Sequence, residues 1–340
     1  MEQVRLGRTN MMVSRSGFGA LPIQRIGTSE AVRLLRRAYE QGINFFDTAR
    51  GYTDSEMKLG LAFGNMRERP FIATKSHAGD KTDLLRDLTT SLQMLKVDYV
   101  DILQLHNPRT LPDPNDVDGP YAGLLEAKER GLVRYIGITN HRLTLALEAV
   151  RSGLYDTVQY PLSLLSSQEE LVLADICRRH DVGLIAMKAL SGGLITNAAL
   201  AFAFLRQFSG IVPIWGIQYE HELDEFISLE KQPPQLDTAM LQAIERERAE
   251  LVGDFCRGCG YCLPCPANIP IPMAARITLL LQRAPYQQYV TTPWQESMAR
   301  INDCIECGHC KAHCPYNLDT PALLRQQLEQ YRDFVSKLPC

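Results

Sequence analysis

Eight of the ten cysteines lie between residues 256 and 314, in two runs. The first, CRGCGYCLPCP (256–266), sets Cys256, Cys259, Cys262 and Cys265 at every third residue and ends on Pro266. The second, CIECGHCKAHCP (304–315), holds Cys304, Cys307, Cys310 and Cys314 and ends on Pro315. In a secreted chain an even number of cysteines would suggest disulfides, but MEQVRLGRTN, the start, has neither an apolar h-region nor a cleavage site. Thiols two or three residues apart suit metal better. Three closely spaced thiolates can reach three corners of an iron–sulfur cubane, and a more distant fourth must cross over from another run. Four thiolates also satisfy a tetrahedral zinc ion, so a pair of structural zinc sites is the alternative. Zinc ribbons pair two C-x2-C knuckles across a long gap, whereas each run here supplies four cysteines and closes on Cys-Pro.

The C-x2-C-x2-C-x3-C-P spacing of the second run is the one by which bacterial ferredoxins hold [4Fe–4S] clusters, and residues 254 to 320 resemble a two-cluster bacterial-type ferredoxin. The rule predicts two clusters, one on Cys256, Cys259, Cys262 and Cys314, the other on Cys304, Cys307, Cys310 and Cys265. The first run is one residue shorter before its last cysteine than the second. His309 and His313 sit among the ligands as surface or supporting residues. Cys177, on an expected helix, reads as core packing, and Cys340 as a frayed tail.

Four polar residues form a second group. Asp47 follows the apolar run INFF (43–46), Tyr52 lies in the loop after it, Lys75 ends FIATK (71–75) and His106 ends DYVDILQLH (98–106). Each is a type used in acid–base chemistry. Singly, Asp47 could cap a turn, Lys75 could be a solvated strand end and His106 a packed histidine; together they mark one end of three consecutive strands.

The elements that would position them are β/α units. Candidate strands are VSRSGFG (13–19), INFF, FIATK, DYVDILQLH, VRYIGIT (133–139), DTVQY (156–160), VGLIAMK (182–188) and IVPIWG (211–216), separated by helical segments such as SEAVRLLRRAYEQG (29–42) and SQEELVLADICRRH (167–180). Eight such units fit an α/β fold of the (β/α)8 TIM-barrel type, whose catalytic groups sit at the C-terminal strand ends. A doubly wound sheet is the alternative, but GFGALPI (17–23) lacks the G-x-G-x-x-G turn. Two prolines in KQPPQLD (231–237) break the helical pattern, which divides the chain into a barrel at 1–235 and a ferredoxin-like domain at 236–340. Residues 238–253 read as a charged helix; beyond lie short loops around thiols with one apolar helix-like insert, PMAARITLLLQRA (272–284).

FFDTARGY (45–52), ATK (73–75) and LQLHNP (103–108) resemble the aldo-keto reductase family over roughly residues 3 to 230. The resemblance implies a catalytic tetrad with a nicotinamide cofactor: Tyr52 as proton donor to the carbonyl oxygen, Lys75 paired with Asp47 assisting it, and His106 orienting the carbonyl. An adjacent ammonium should lower the Tyr52 pKa. GITN (137–140) and VQY (158–160) place Asn140 and Gln159 against the nicotinamide carboxamide. Met187 and Lys188 stand where the family commonly has a stacking aromatic residue. After strand eight, WGIQYEHELDEF (215–226) begins at Gly216's neighbour, carries Glu225 near the expected adenosine and has no Lys or Arg for a 2′-phosphate, which favours NAD over NADP.

Nicotinamide moves two electrons as hydride and each cluster moves one, so an electron-splitting group is needed to join them; no flavin signature is visible, and a flavin is not excluded. Three readings follow: an oxidoreductase interconverting a carbonyl and an alcohol, its clusters exchanging electrons with a ferredoxin or other external carrier; an ordinary NAD(P)-dependent reductase with structural or redox-sensing clusters; or a non-catalytic redox-responsive nucleotide-binding protein. The formal charge of −3 gives no reason to expect nucleic acid, and no apolar run approaches the roughly 18 residues of a membrane span. A cytoplasmic location is expected.

Overall fold

The computed structural model describes residues 1–64, 66–251, 255–283 and 286–338. Its strands open with a hairpin, β1 (Gln3–Arg5) antiparallel to β2 (Met12–Ser14). Eight parallel strands then close a barrel: β3 (Gly17–Gly19), β4 (Phe45–Asp47), β5 (Phe71–Ser76), β6 (Val100–His106), β7 (Val133–Thr139), β8 (Thr157–Pro161), β9 (Gly183–Met187) and β10 (Ile211–Gly216). They neighbour one another in chain order, and β10 pairs back onto β3. The connecting helices are α1 (Thr28–Glu40), α2 (Ser55–Phe63), α3 (Lys81–Leu95), α4 (Pro120–Glu129), α5 (Leu143–Ser152), α6 (Gln168–Arg179) and α7 (Ala198–Arg206), with α8 (Glu220–Lys231) after β10.

VSRSGFG is therefore two strands, not one. The Ser14 hydroxyl donates to the Ser16 carbonyl at 2.7 Å and Asn44 Oδ1 takes the Ser14 N–H at 2.5 Å, which turns the chain between β2 and β3. The hairpin side chains Leu6, Met11 and Val13 pack on Phe45, Ala73, Ile102, Ile185, Val212 and Ile214 and close the end of the barrel at which the strands begin. Full burial stabilises each large apolar side chain by about 1.5–3 kcal/mol. Helix faces follow the same logic. In α1 Ala31, Leu34, Leu35 and Ala38 recur at helical spacing and are buried. In α6 the Ser167 hydroxyl and Glu170 carboxylate form a capping box, and Cys177 faces the core, where burial pushes its thiol up to about 12.

The chain forms two compact units, residues 1–189 with 197–244, and residues 190–196 with 245–340. This partition differs from a single cut at 235/236. α9 (Thr238–Glu250) runs through the later boundary, and the loop 190–196 is fastened within the second unit by Arg276 and Arg283, whose Nη1 atoms donate to the Gly192 and Leu194 carbonyls at 2.9 and 3.0 Å.

The second unit holds more helix than its sequence suggests. The expected insert is two helices, α10 (Ile271–Ala274) and α11 (Ile277–Arg283), followed by α12 (Thr292–Ala299), α13 (His309–His313) and α14 (Thr320–Ser336). α14, at 17 residues, is the longest helix among the described residues. Asp319 caps it by accepting from Ala322 N, Pro321 lies in its first turn, and Leu324, Leu328 and Tyr331 form its buried stripe. The Tyr331 hydroxyl donates to the Tyr289 carbonyl at 2.7 Å. Cys340 lies outside the described residues.

Candidate functional site

Strand register brings the polar residues of the barrel to one end. Asp47 lies beside Ala73, Lys75 beside Gln104, His106 beside Thr139, and Thr139 beside Gln159. Lys75 Nζ donates to Asp47 Oδ2 and to the Thr48 carbonyl, each at 2.6 Å. The pair is buried, with Lys75 and Asp47 only 1% and 2% exposed. Past Asp47 the chain follows β5, with Thr48 N and Arg50 N donating to the Ala73 and Lys75 carbonyls at 2.8 and 2.9 Å. A turn closed by Tyr52 N on the Ala49 carbonyl then sets Tyr52 above the pair, with Lys75 Nζ 5.1 Å from its ring centre. His106 meets the same ring edge-on at 5.9 Å. The four tetrad positions therefore converge.

Residues outside the expected tetrad complete the site. Gln104 Nε2 donates to Asp47 Oδ1 at 3.3 Å and to Gln159 Oε1 at 2.9 Å, and Gln159 Nε2 reaches Asp47 Oδ2 at 3.5 Å. His77 stacks on His106 with ring centres 3.9 Å apart and its Nδ1 lies 3.0 Å from the His106 carbonyl oxygen. Glu56, also buried, accepts from Thr74 Oγ1 at 2.7 Å and pairs with Arg50. In the sequence, Gln104 was visible only as part of LQLHNP, two residues before His106, and nothing distinguished Glu56 or His77.

The electrostatics correct one expectation. Burial pushes the Tyr52 phenol up, and the Asp47 carboxylate pushes it further in the same direction. The ammonium of Lys75, paired with Asp47 at 2.6 Å, does not reverse this direction. Tyr52 is thus a protonated donor at neutral pH. Burial holds the His106 imidazole well below its ordinary range, with His77, Lys75 and His141 acting in the same sense. His106 is therefore neutral, and its buried Nδ1 has no hydrogen-bond partner among the described residues. Burial pushes Asp47 up and Lys75 down, each opposed by the contact with the other.

The residues expected to hold nucleotide are less uniform. The Asn140 side chain is buried, its Nδ2 donating to the Pro108 carbonyl at 2.9 Å and its Oδ1 accepting from Arg142 N at 2.8 Å. Gln159 belongs to the Asp47 network, in which Gln104 Oε1 is buried with no partner among the described residues. Unpartnered buried atoms at Gln104 and His106 fit a site completed by a polar ligand. Met187 ends β9, and Lys188 follows with a positive φ of 57°. Gly216 ends β10 and is exposed, as is Glu225 on α8. Glu222 Oε2 accepts from Gln218 N at 2.6 Å and Tyr219 N at 3.0 Å, so a carboxylate already occupies the start of α8.

In the second unit the thiols surround two concavities. One is lined by Cys256, Cys259, Cys262 and Cys314, the other by Cys304, Cys307, Cys310 and Cys265, with Cys262, Cys310 and Ile271 bordering both. Each expected quartet falls among the five cysteines that line one hollow. Among the described residues no three His, Cys, Asp or Glu side chains converge closely enough for a single metal ion. The rings of thiols around apolar hollows fit a cluster better than zinc. Burial pushes the Cys256, Cys262 and Cys310 thiols up, Cys262 to about 12, so a bound metal centre would be needed to hold them as thiolates. His309 lines the second hollow, its Nε2 buried with no partner among the described residues, and His313 stacks on it at 3.9 Å.

Each part matches a known family. The profile of the aldo/keto reductase family matches residues 16–201, and that of a 4Fe-4S dicluster domain matches residues 255–319. An uncharacterized oxidoreductase of Bacillus subtilis is 29% identical over 59% of this chain and 68% of its own length. An NADH-specific methylglyoxal reductase of Escherichia coli is 27% identical over 58% of this chain and 70% of its own. Among solved structures, an aldo-keto reductase from Klebsiella pneumoniae in complex with NADPH superposes with a TM-score of 0.60 at 21% identity, covering 72% of this chain and 94% of that one. No helix among the described residues is long and apolar enough to cross a membrane. With its closed eight-stranded parallel barrel and its second cysteine-rich part, the chain is an enzyme of the aldo/keto reductase family that carries a 4Fe-4S dicluster domain.

Proposed function

We propose that the barrel interconverts a small-molecule carbonyl and its alcohol with NAD, and that the two thiol-lined hollows hold [4Fe–4S] clusters that exchange electrons with a ferredoxin or other external one-electron carrier. The observation that carries this reading is the buried Lys75–Asp47 pair, 2.6 Å apart beneath Tyr52, with His106 edge-on to the same ring. A bound nicotinamide would supply hydride to the carbonyl carbon, and bound clusters would supply electrons singly.

Tyr52, kept protonated by burial, gives its proton to the carbonyl oxygen as negative charge develops there. Lys75, fixed in place by its contact with Asp47, stands behind the phenol and assists the transfer by holding Tyr52 in position. His106 orients the carbonyl as a neutral imidazole, its ring held by His77. Gln104 and Gln159 fix the Asp47 carboxylate. Asn140 and Gln159 border the carboxamide position, Met187 and Lys188 the nicotinamide face, and Gly216 and Glu225 the adenosine side.

The preference for NAD rests on Glu222. Its carboxylate caps the N–H groups of Gln218 and Tyr219, no Lys or Arg lies in 215–226, and the arginine that reaches α8, Arg37, is already paired with Glu220 and Asp224, which disfavours a 2′-phosphate there. The Escherichia coli relative is an NADH-specific reductase, in agreement with this choice. An electron-pairing group such as a flavin joins single-electron and hydride chemistry in this proposal. Oxidisable thiolate ligands need a reducing compartment, which makes the cytoplasm the proposed location.

Tyr52→Phe tests the barrel assignment. Carbonyl reduction should be abolished while NADH still binds, as followed by nucleotide fluorescence; a variant that turns over normally contradicts the assignment.

A further inference from the structure

Among the described residues of the second unit, Arg276 is the only buried charged side chain, 8% exposed. Its Nη1 donates to the Gly192 carbonyl at 2.9 Å. The guanidinium also lies against Gly258, between Cys256 and Cys259 in the chain. A Cβ at Gly258 would meet Nη1 at 3.0 Å, Cζ at 3.1 Å and Nη2 at 3.3 Å, and the glycine has a φ of +62°. Gly258 N in turn lies 3.4 Å from Cys256 Sγ. The absent side chain thus lets a permanent cation press, from outside the hollow, on the loop that carries two thiols of its lining, to which Arg257 belongs. Among the described residues the second hollow has no buried arginine or lysine beside it. Its charged lining residue is Glu306, exposed and paired with Arg325 at 3.0 Å.

Reduction of a [4Fe–4S] cluster adds one negative charge. A buried cation stabilises the reduced form more than the oxidised one, and burial limits screening. We propose that Arg276 sets the reduction potential of the cluster on Cys256, Cys259, Cys262 and Cys314 above that of the cluster on Cys304, Cys307, Cys310 and Cys265. This inference rests on the ligand sets proposed above. It gives the pair a direction: an electron delivered by the external carrier to the second cluster passes to the first, the second oxidised by one electron and the first reduced by one, with no proton or further reactant. Cys262, Cys310 and Ile271, which border both hollows, lie along that path.

The test is an anaerobic redox titration of the cluster-loaded protein with dithionite, followed by electron paramagnetic resonance, on the wild type, R276Q, R276K and C307S. Gln keeps amide donors for the Gly192 carbonyl without the charge; Lys keeps the charge. Two one-electron steps are expected in the wild type. R276Q should lower the upper step at least tenfold in its equilibrium constant, about 59 mV for one electron, and leave the lower step in place. R276K should stay near the wild type. C307S, which alters an exposed ligand of the second hollow, should move only the lower step, and this tests the order even if R276Q does not keep its clusters. The proposal is overturned if R276Q moves neither step or both alike, if R276K falls as far as R276Q, or if C307S moves the upper step. A wild-type protein that binds zinc, or only one cluster, overturns the ligand sets themselves and is recognised by iron and zinc analysis before any titration.

Discussion

Replacing Lys75 with Met leaves the Asp47 carboxyl buried without its cation. Its remaining donors are the amides of Gln104 and Gln159 at 3.3 and 3.5 Å, long contacts that do not replace an ammonium at 2.6 Å. Breaking a buried pair from one side typically costs about 3–5 kcal/mol. Protonation sets an independent ceiling. An unfolded Asp titrates near pH 3.9, so keeping Asp47 neutral at pH 7 costs about 1.36 kcal/mol for each of about 3.1 pH units, roughly 4 kcal/mol. At pH 5 the same term falls to about 1.5 kcal/mol.

The sign follows from the direction of the shift. Burial raises the folded pKa of Asp47 above its unfolded value. Without Lys75, the folded state then holds more protons than the unfolded state, and stability falls as pH rises from the unfolded pKa towards the folded one. The deficit of Lys75→Met against the parent protein should therefore grow between pH 5 and pH 7, by at most about 2.7 kcal/mol. The chain has two tryptophans, Trp215 in the barrel and Trp294 in the second unit. Urea unfolding followed by Trp215 fluorescence in a Trp294→Phe background reads the barrel alone. A deficit that does not change with pH would refute the reasoning, because it would mean that Asp47 remains charged on its amide donors.

Three outcomes follow from other residues. Cys265→Ala and Cys314→Ala should each retain about four irons per chain and lose a different one of the two clusters, in line with crossed ligation; iron analysis with electron paramagnetic resonance checks this, and loss of the same signal in both would contradict the quartets. Glu222→Gln should raise affinity for NADP⁺ relative to NAD⁺ in fluorescence titrations, while weakening the α8 N-terminus by about 0.3–1 kcal/mol; an unchanged ratio removes the argument for NAD. The Tyr52→Phe outcome stated above completes the set.

The barrel was legible because its strands are short apolar runs with helical periodicity between them, and because its reactive residues end consecutive strands. VSRSGFG misled as a single run, since the bend between Ser14 and Gly17 depends on Asn44, distant in sequence. The tetrad was visible as residue types, but its electrostatics were not. Proximity of a lysine suggested a lowered phenol pKa, and only the 2.6 Å contact with Asp47 and the burial of Tyr52 reverse that sign. Gln104 and His77 act through partners on other strands and left no local mark. In the second unit, cysteine spacing pointed to the thiols that line the two hollows, whereas α14 was overlooked although Asp319, Pro321 and the spacing of Leu324, Leu328 and Tyr331 signalled it.

The measurement that bears most directly on the central claim joins the two kinds of chemistry. The cluster-loaded protein is reduced with dithionite under strict anaerobiosis, freed of the reductant, and mixed with NAD⁺ or NADP⁺ in separate cuvettes. Two reduced clusters hold two electrons, which with one proton from solvent make one hydride equivalent. The account predicts that NAD⁺ reoxidises the clusters at a catalytically useful rate with formation of NADH, and does so faster than NADP⁺. Clusters that stay reduced in the presence of bound NAD⁺ would contradict it and leave an ordinary nucleotide-driven reductase with structural or sensing clusters.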